Sequence, residues 1–388
     1  MKSLPKNVWV LALGLALMMS ASSLVVFVGG LVGSELAPSK RLATLPVAAI
    51  IVGTAIATVP VALMMKRFGR RTTFLVIIAF TVAISLLAAY SIHIQSFYLF
   101  CFSLALIGLS VASLNQFRFA AMESVSVDQV PKAASTVLLG GIAAAFVGPE
   151  IAVGGKELLS EPFTGSFILL ALLFVFGFII ISFYQNVSVD SKETDAPGRP
   201  LSEIIKQPVF WTAVLCAMMG YAVMSFIMTA TPVSMHVMDG HSLEDTKWVI
   251  QSHIVAMFLP SLFTAWIISK VGIKNMMLTG IGAFAICLII AYTGHHVGHY
   301  WGSLILLGIG WNFLFIGGTT LLPRAYNNNE RFKVQALNEF MIFGTQALAA
   351  LSAGLVVSAV GWENLILITV PLLAIPLGAI LFTRKATA

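Results

Sequence analysis

Four side chains in the second half of the sequence have the types and spacing to hold a soft metal ion. They are Met224 and Met228 in Met-Ser-Phe-Ile-Met, and His253 and Met257 in His-Ile-Val-Ala-Met. Thioethers and a neutral imidazole are donors of the kind that select copper, Cu(I) in particular. Residues four apart share one face of an α-helix, so each pair offers two donors in one direction. Neutral donors of this sort can load a monovalent ion and release it again. Methionine also fills irregular gaps in apolar cores, so either pair alone reads first as packing. His253 carries most of the discrimination, because polar side chains at membrane depth are rare and mostly functional. It can also serve as a hydrogen bond to a neighbouring helix or as a proton relay.

The elements that must position these groups are membrane helices. Of 388 residues, 59% are hydrophobic and only 10% are charged, against about 25% charged in a soluble domain. A helix needs about 20 apolar residues to cross the hydrocarbon core. Runs of that length fall at 8–32, 42–65, 72–92, 97–117, 133–153 and 164–184, and again at 208–232, 247–268, 275–294, 301–322, 334–358 and 364–383. The expected domains are an N-terminal bundle (1–185), a polar linker (186–207) and a C-terminal bundle (208–388). Asp190, Lys192, Glu193, Asp195, Pro197, Gly198 and Pro200 mark the linker. The first apolar run has no small-residue cleavage site and spans, so no cleaved signal peptide is expected.

Positive charge sets orientation. Lys2 and Lys6, the run Lys66, Arg67, Arg70 and Arg71, then Arg118 and Lys132, Lys270 and Lys274, Arg324, Arg331 and Lys333, and Arg384 and Lys385 all fall on one side. Both termini are therefore expected in the cytoplasm of a bacterial inner-membrane protein; Lys40 and Arg41 are the exception. The net charge of +6 lies in these short loops, so it reports topology and excludes nucleic acid as a partner. Cys101, Cys216 and Cys287 all sit in apolar runs, which argues against a disulfide framework. They read as buried small hydrophobes, or less simply as extra metal ligands.

Spans seven and eight run in opposite directions. At 1.5 Å per residue, Met224 and Met228 lie about 24 and 30 Å above the cytoplasmic start of one, and His253 and Met257 about 22 and 16 Å above the cytoplasmic end of the other. The depths overlap, so the two pairs are expected to converge if they share a face. Outside the bilayer, Met235, His236, Met238 and His241 cluster after span seven, and His295, His296 and His299 after span nine. Both clusters are candidates for gathering metal, and solvated loop polarity explains them as well.

The halves repeat. Lys66-Arg67-Phe68-Gly69-Arg70-Arg71 follows span two, and Ser269-Lys270-Val271-Gly272-Ile273-Lys274 follows span eight, with the two glycines 203 residues apart. On these features the chain resembles the major facilitator superfamily, whose signature after span two is Gly-x-x-x-Asp-Arg-x-Gly-Arg-Arg. Ala62 and Lys66 replace the first glycine and the aspartate, while Arg67, Gly69, Arg70 and Arg71 remain. The resemblance implies an all-α membrane protein with the superfamily fold, twelve transmembrane helices in two six-helix bundles, working by alternating access. It also implies a cytoplasmic latch at Arg67, Gly69, Arg70 and Arg71, echoed by Lys270 and Gly272, with the latch acid missing.

The C-terminal half is similar to the CcoA-like transporter group, which includes copper importers and related riboflavin transporters. The similar stretches are Met224–Pro232, Gly240–Pro260 and Gly308–Leu322. The copper importers carry Met-x-x-x-Met in span seven and His-x-x-x-Met in span eight, matching Met224, Met228, His253 and Met257. The resemblance thus implies copper import, supplying haem-copper oxidase assembly, by a monomer with no bound cofactor. The expected partners are the copper ion, the bilayer and a cytoplasmic copper-accepting protein. The alternative is import of riboflavin or a similar planar molecule, for which Trp211, Trp248, Trp266 and Trp311 offer stacking faces. A proton-coupled drug or metabolite exporter is third, because Gly148-Pro149 is similar to the exporter Gly-Pro motif, although Ala152 and Val153 stand where its glycines belong. Among Glu35, Glu150, Glu339 and Glu363, Glu339 is the candidate for proton coupling. No Gly-Lys-Ser/Thr phosphate loop is present, so ATP drive is not expected; no paired carboxylates or nucleophile elbow stand outside the apolar runs, so no enzyme activity is expected.

Overall fold

The computed structural model describes residues 4–126, 129–186, 198–327 and 330–382. Lys2, Asp190, Lys192, Glu193, Asp195, Pro197, Arg384 and Lys385 lie outside the described residues, as do the side chains of Lys66, Lys132 and Arg331. In hydrocarbon no water meets the backbone N–H and C=O groups, so apolar runs of this length close their hydrogen bonds as helices. The first half contains α1 (Lys6–Leu36), α2 (Leu45–Phe68), α3 (Arg70–His93), α4 (Phe97–Leu114), α5 (Val130–Gly155) and α6 (Thr164–Ser182). The second contains α7 (Pro208–Pro232), α8 (Leu243–Phe258), α9 (Thr264–Thr293), α10 (Val297–Leu321), α11 (Arg331–Thr369) and α12 (Ala374–Phe382).

Two of these helices each take part in two crossings. α9 starts as the end of the eighth crossing and turns at Gly272; α11 turns at Gly361, beyond which the chain makes its twelfth crossing into α12. Among the described residues nine helical stretches are long and apolar enough to cross a membrane. One of them, Lys333–Phe382, holds two passes, and α5 and the broken eighth crossing complete the twelve. The continuous helix expected at 247–268 is not formed. α8 ends at Phe258, and a 3-10 turn at Leu259–Leu262 carries Pro260, which has no N–H to give and crowds the preceding turn.

Gly69 and Gly272 share one backbone conformation, φ 79° and ψ 162° against φ 79° and ψ 158°. A side chain is strained at such a φ, so the sequence repeat is a repeat of backbone shape. Helix pairing repeats too. α2 packs on α4 and α8 on α10, while α1 packs on α5 and α7 on α11. Both of the first pairings depend on a missing side chain. A Cβ at Gly108 of α4 would lie 2.5 Å from Ile50 O and Thr54 N of α2, and one at Gly308 of α10 would lie 2.8 Å from His253 O and 2.9 Å from Met257 N of α8.

The halves meet along α2–α11 and α5–α8. At the end opposite Gly69 and Gly272, Lys247 Nζ donates to Glu150 Oε1 at 3.1 Å, Gln251 Nε2 to the same oxygen at 3.3 Å, and Ser358 Oγ to Lys40 O at 3.3 Å. At the end bearing the two glycines, Arg118 Nη2 reaches Glu339 Oε1 at 3.4 Å.

Candidate functional site

A cavity of about 200 Å³ lies between the halves. That is far more room than the roughly 10–15 Å³ one water needs, and a bare metal ion needs no more than water does. α7 contributes Tyr221, Met224 and Met228, α8 contributes Ile254, Met257 and Phe258, and Ser261 follows from the 3-10 turn. α10 adds Trp311, Asn312, Phe315 and Ile316, and α11 adds Phe343 and Gln346. The opposite wall is aliphatic and small-polar: Leu15, Met19, Ser22, Ser23 and Val26 of α1, Ile50, Ile51 and Thr54 of α2, Val111 and Leu114 of α4 followed by Asn115, Val137 of α5, and Arg118 of a short helix after α4, Phe117–Met122.

The aromatic side chains form one cluster. The Trp311 and Phe315 rings are stacked, 5.1 Å apart at 16°, as residues four apart on α10 allow. Tyr221 meets both edge-on at 5.1 Å and Phe343 at 5.7 Å, and Phe258 meets Trp311 at 5.9 Å. Such a cluster offers flat faces and ring edges to a planar ligand. Polar atoms border it without partners. Trp311 Nε1, Asn312 Oδ1 and Arg118 Nε are buried and make no hydrogen bond among the described residues. Asn312 is held in place by its other amide atom, Nδ2, which donates to Met257 O at 2.6 Å and Ser261 Oγ at 2.7 Å. Most buried polar atoms in proteins are paired, so three orphans on one lining call for a ligand or water. Gln346 Nε2 donates to Ser225 Oγ at 2.8 Å.

Three of the four proposed metal donors border one cavity. Met224, Met228 and Met257 line the cavity, but His253 does not. α7 and α8 are not packed along each other; α10 packs against both. The expected direct meeting of spans seven and eight is therefore replaced by two separate walls. His253 is fully buried, and its Nδ1 donates to Leu304 O of α10 at 2.7 Å. That bond fixes the proton on Nδ1 and leaves Nε2 buried without a partner among the described residues. Among the described residues no group of three or more His, Cys, Asp or Glu side chains is placed to hold a metal.

The loop cluster is also tied up otherwise. Met235 is buried within a π-helical turn, Val233–Met238, and Met238 is exposed. His236 Nδ1 donates to His241 O at 2.7 Å, and His241 Nε2 to His295 O at 2.6 Å. His295 binds Asp239 Oδ2 at 2.9 Å and Glu363 Oε1 at 2.8 Å through its two ring nitrogens. These carboxylates raise the His295 pKa above the ordinary imidazole value. The His296 and His299 rings lie 5.8 Å apart. This network staples three loops of the second half; it does not converge on one point.

At the latch, Arg70 pairs in a fork with Glu123, Nε to Oε2 at 2.9 Å and Nη2 to Oε1 at 2.6 Å. Glu123 thus gives Arg70 a carboxylate partner. Arg71 donates from its backbone N to Asn186 Oδ1 and from Nη2 to Ser182 O, both at 2.9 Å, and the Arg67 guanidinium lies 5.2 Å from the Phe68 ring. The side chains of Lys270 and Lys274 form no hydrogen bond or ion pair among the described residues. Of the four tryptophans, only Trp311 reaches the cavity; Trp211, Trp248 and Trp266 are exposed on the helix surface. Sequence reasoning used Arg118 only to orient the chain and passed over Asn312, although a buried amide inside an apolar run is itself a functional signal.

The family model of the major facilitator superfamily matches residues 10–243 and 238–388. The riboflavin transporter RfnT of Brucella anthropi is 36% identical over 383 residues, covering 98% of this chain and 96% of its own length. Two Bacillus subtilis proteins, the uncharacterized MFS-type transporters YddS and YdeG, are 27% and 28% identical, covering 86% and 88% of this chain and 80% and 84% of their own lengths. These relatives give no support to copper as cargo, and the alternative expectation of riboflavin fits them better. With its twelve crossings and matches along both halves, the chain belongs to the major facilitator superfamily of membrane transporters.

Proposed function

We propose that this protein is a riboflavin transporter, carrying the vitamin into the cytoplasm by alternating access of its two bundles about the central cavity. The observation that carries this reading is the α7–α8–α10–α11 wall, where Trp311, Phe315, Tyr221 and Phe343 border the unpaired Trp311 Nε1, Asn312 Oδ1 and Arg118 Nε. An isoalloxazine ring is planar and carries carbonyl oxygens and an imide N–H along one edge. It can stack on these faces while its edge accepts from the two donors and gives to the Asn312 oxygen. The riboflavin transporter from Brucella anthropi, similar along nearly the whole chain, supports the same cargo. The charged loops support a bacterial inner-membrane location with both termini in the cytoplasm. We take the protein to act as a monomer without a cofactor, its domains dividing at the 186–207 linker. Glu339 enters the cycle here as the partner of Arg118 across the halves.

A riboflavin auxotroph expressing this gene tests the proposal. Growth should be restored at low external riboflavin, with labelled riboflavin accumulating and cell copper unchanged. Failure to accumulate riboflavin when the protein is correctly inserted would overturn it.

A further inference from the structure

Arg118 is the one charged residue on the cavity lining among the described residues. Its Nη2 sits 3.4 Å from Glu339 Oε1, on the opposite half of the molecule. Asn338 Nδ2 lies 3.4 Å from the same oxygen. The guanidinium is flanked by the Phe119 ring at 4.8 Å and the Phe315 ring at 5.7 Å, which keeps its plane in place beside the aromatic cluster. Its Nε is buried and unpaired. The cavity is therefore bordered by a cation whose charge is already met by a carboxylate of the other half, and whose Nε–H has no partner among the described residues.

Two kinds of ligand fare differently at such a group. A neutral carbonyl oxygen accepts from Nε and leaves the ion pair intact. A phosphate is ordinarily a strong partner for a guanidinium. Here its negative charge would compete with Glu339 for Arg118 and leave the carboxylate with the Asn338 amide in place of a cation. Stranding one member of a desolvated pair is more unfavourable than never having formed the pair.

We infer that Arg118 and Glu339 together set the charge selectivity of the cavity, admitting a neutral planar heteroaromatic with a carbonyl edge and refusing its phosphate ester. The inference rests on the flavin reading above and assigns separate tasks within it. Arg118 positions the carbonyl edge, and Glu339 withholds Arg118 from phosphate.

The test is uptake of labelled riboflavin into proteoliposomes holding the full chain, competed by unlabelled riboflavin, by lumichrome, and by riboflavin 5′-phosphate. In the wild type, lumichrome should compete, while the phosphate ester should need about tenfold more than riboflavin, or higher, for equal inhibition. Glu339→Gln keeps the shape and removes the neutralising charge, so that gap should narrow by about threefold or more. Arg118→Lys keeps a cation without the Nε edge; it should weaken riboflavin inhibition and leave the phosphate gap in place. Equal competition by the phosphate ester in the wild type overturns the inference, as does an unchanged gap in correctly inserted Glu339→Gln. Those outcomes leave riboflavin transport standing. No riboflavin uptake by the wild type removes the flavin reading and this inference with it.

Discussion

The two halves share a backbone plan and place their chemistry at different levels of it. The first half keeps its ionic ties at the turn around Gly69, where Arg70 is clamped by Glu123 and Arg71 by Ser182 and Asn186. Its cavity wall is aliphatic and small-polar apart from Arg118. In the second half the corresponding turn at Gly272 has the same φ and ψ, yet Lys270 and Lys274 are unpaired among the described residues. Its ties lie away from that turn, in the Arg199–Glu330 fork ahead of α7 and α11 and, at the other end, in the Asp239–His295–Glu363 staple, and its cavity wall is aromatic. Backbone shape is retained by the demand of a positive φ for glycine, whereas side-chain chemistry is free to separate. In the proposed reading the second half recognises the cargo and the first half supplies a single cation.

The largest effect should come from the aromatic wall. Trp311→Ala should raise the apparent KM for riboflavin by about tenfold or more, while Val26→Ala on the opposite wall should change it by less than about threefold. Equal losses in the two uptake assays would break the one-sided picture. Next is the latch. Arg70→Ala should lower stability by about 1–2 kcal/mol, since it removes a forked, charge-assisted contact, and Lys270→Ala should stay within about 0.5 kcal/mol. Thermal unfolding in detergent reads both, and matching shifts would mean that the turns are equivalent after all.

The His295 staple sharpens the comparison through pH. Its folded pKa is raised above the unfolded value near 6.5, so its contribution is fully present below that value and fades as pH rises through the folded pKa. The Tm difference between wild type and His295→Asn should be clear at about pH 6 and small at about pH 9; a difference that grows with pH would contradict the assignment. Smallest of all, Met228→Leu conserves volume in the cavity and should keep riboflavin uptake within about threefold. Cell copper should not move; a fall in copper accumulation with that variant would bring back a metal role for the sulfurs.

Much of the fold was legible because the bilayer imposes it. Apolar length marks crossings, and Gly69 and Gly272 mark the repeat. The eighth crossing was misread as one helix, although Pro260 was in plain view, because hydropathy alone is blind to a missing N–H. Helical spacing correctly set Met224 beside Met228, but it gives only relative faces. It does not say which neighbour a face meets. His253 shares a face with Met257, yet Gly308 draws α10 against that face, and the imidazole turns to Leu304 O. α10 packs against both α7 and α8, a neighbour that softness and spacing do not foretell. The loop histidines misled for a related reason, since His236, His241 and His295 bind carbonyls and carboxylates that sequence neighbours do not reveal.

The polar contacts that join the halves at the end opposite the two glycines also bear on timing. Lys247 there is 9% exposed, but its partner Glu150 is 59% exposed, so water and salt have ready access to the pair. Such a bond is weak and screened. In the proposed cycle the step that parts α5 from α8 should therefore quicken with ionic strength, making the external medium a throttle on turnover without any change in how tightly the cargo is held.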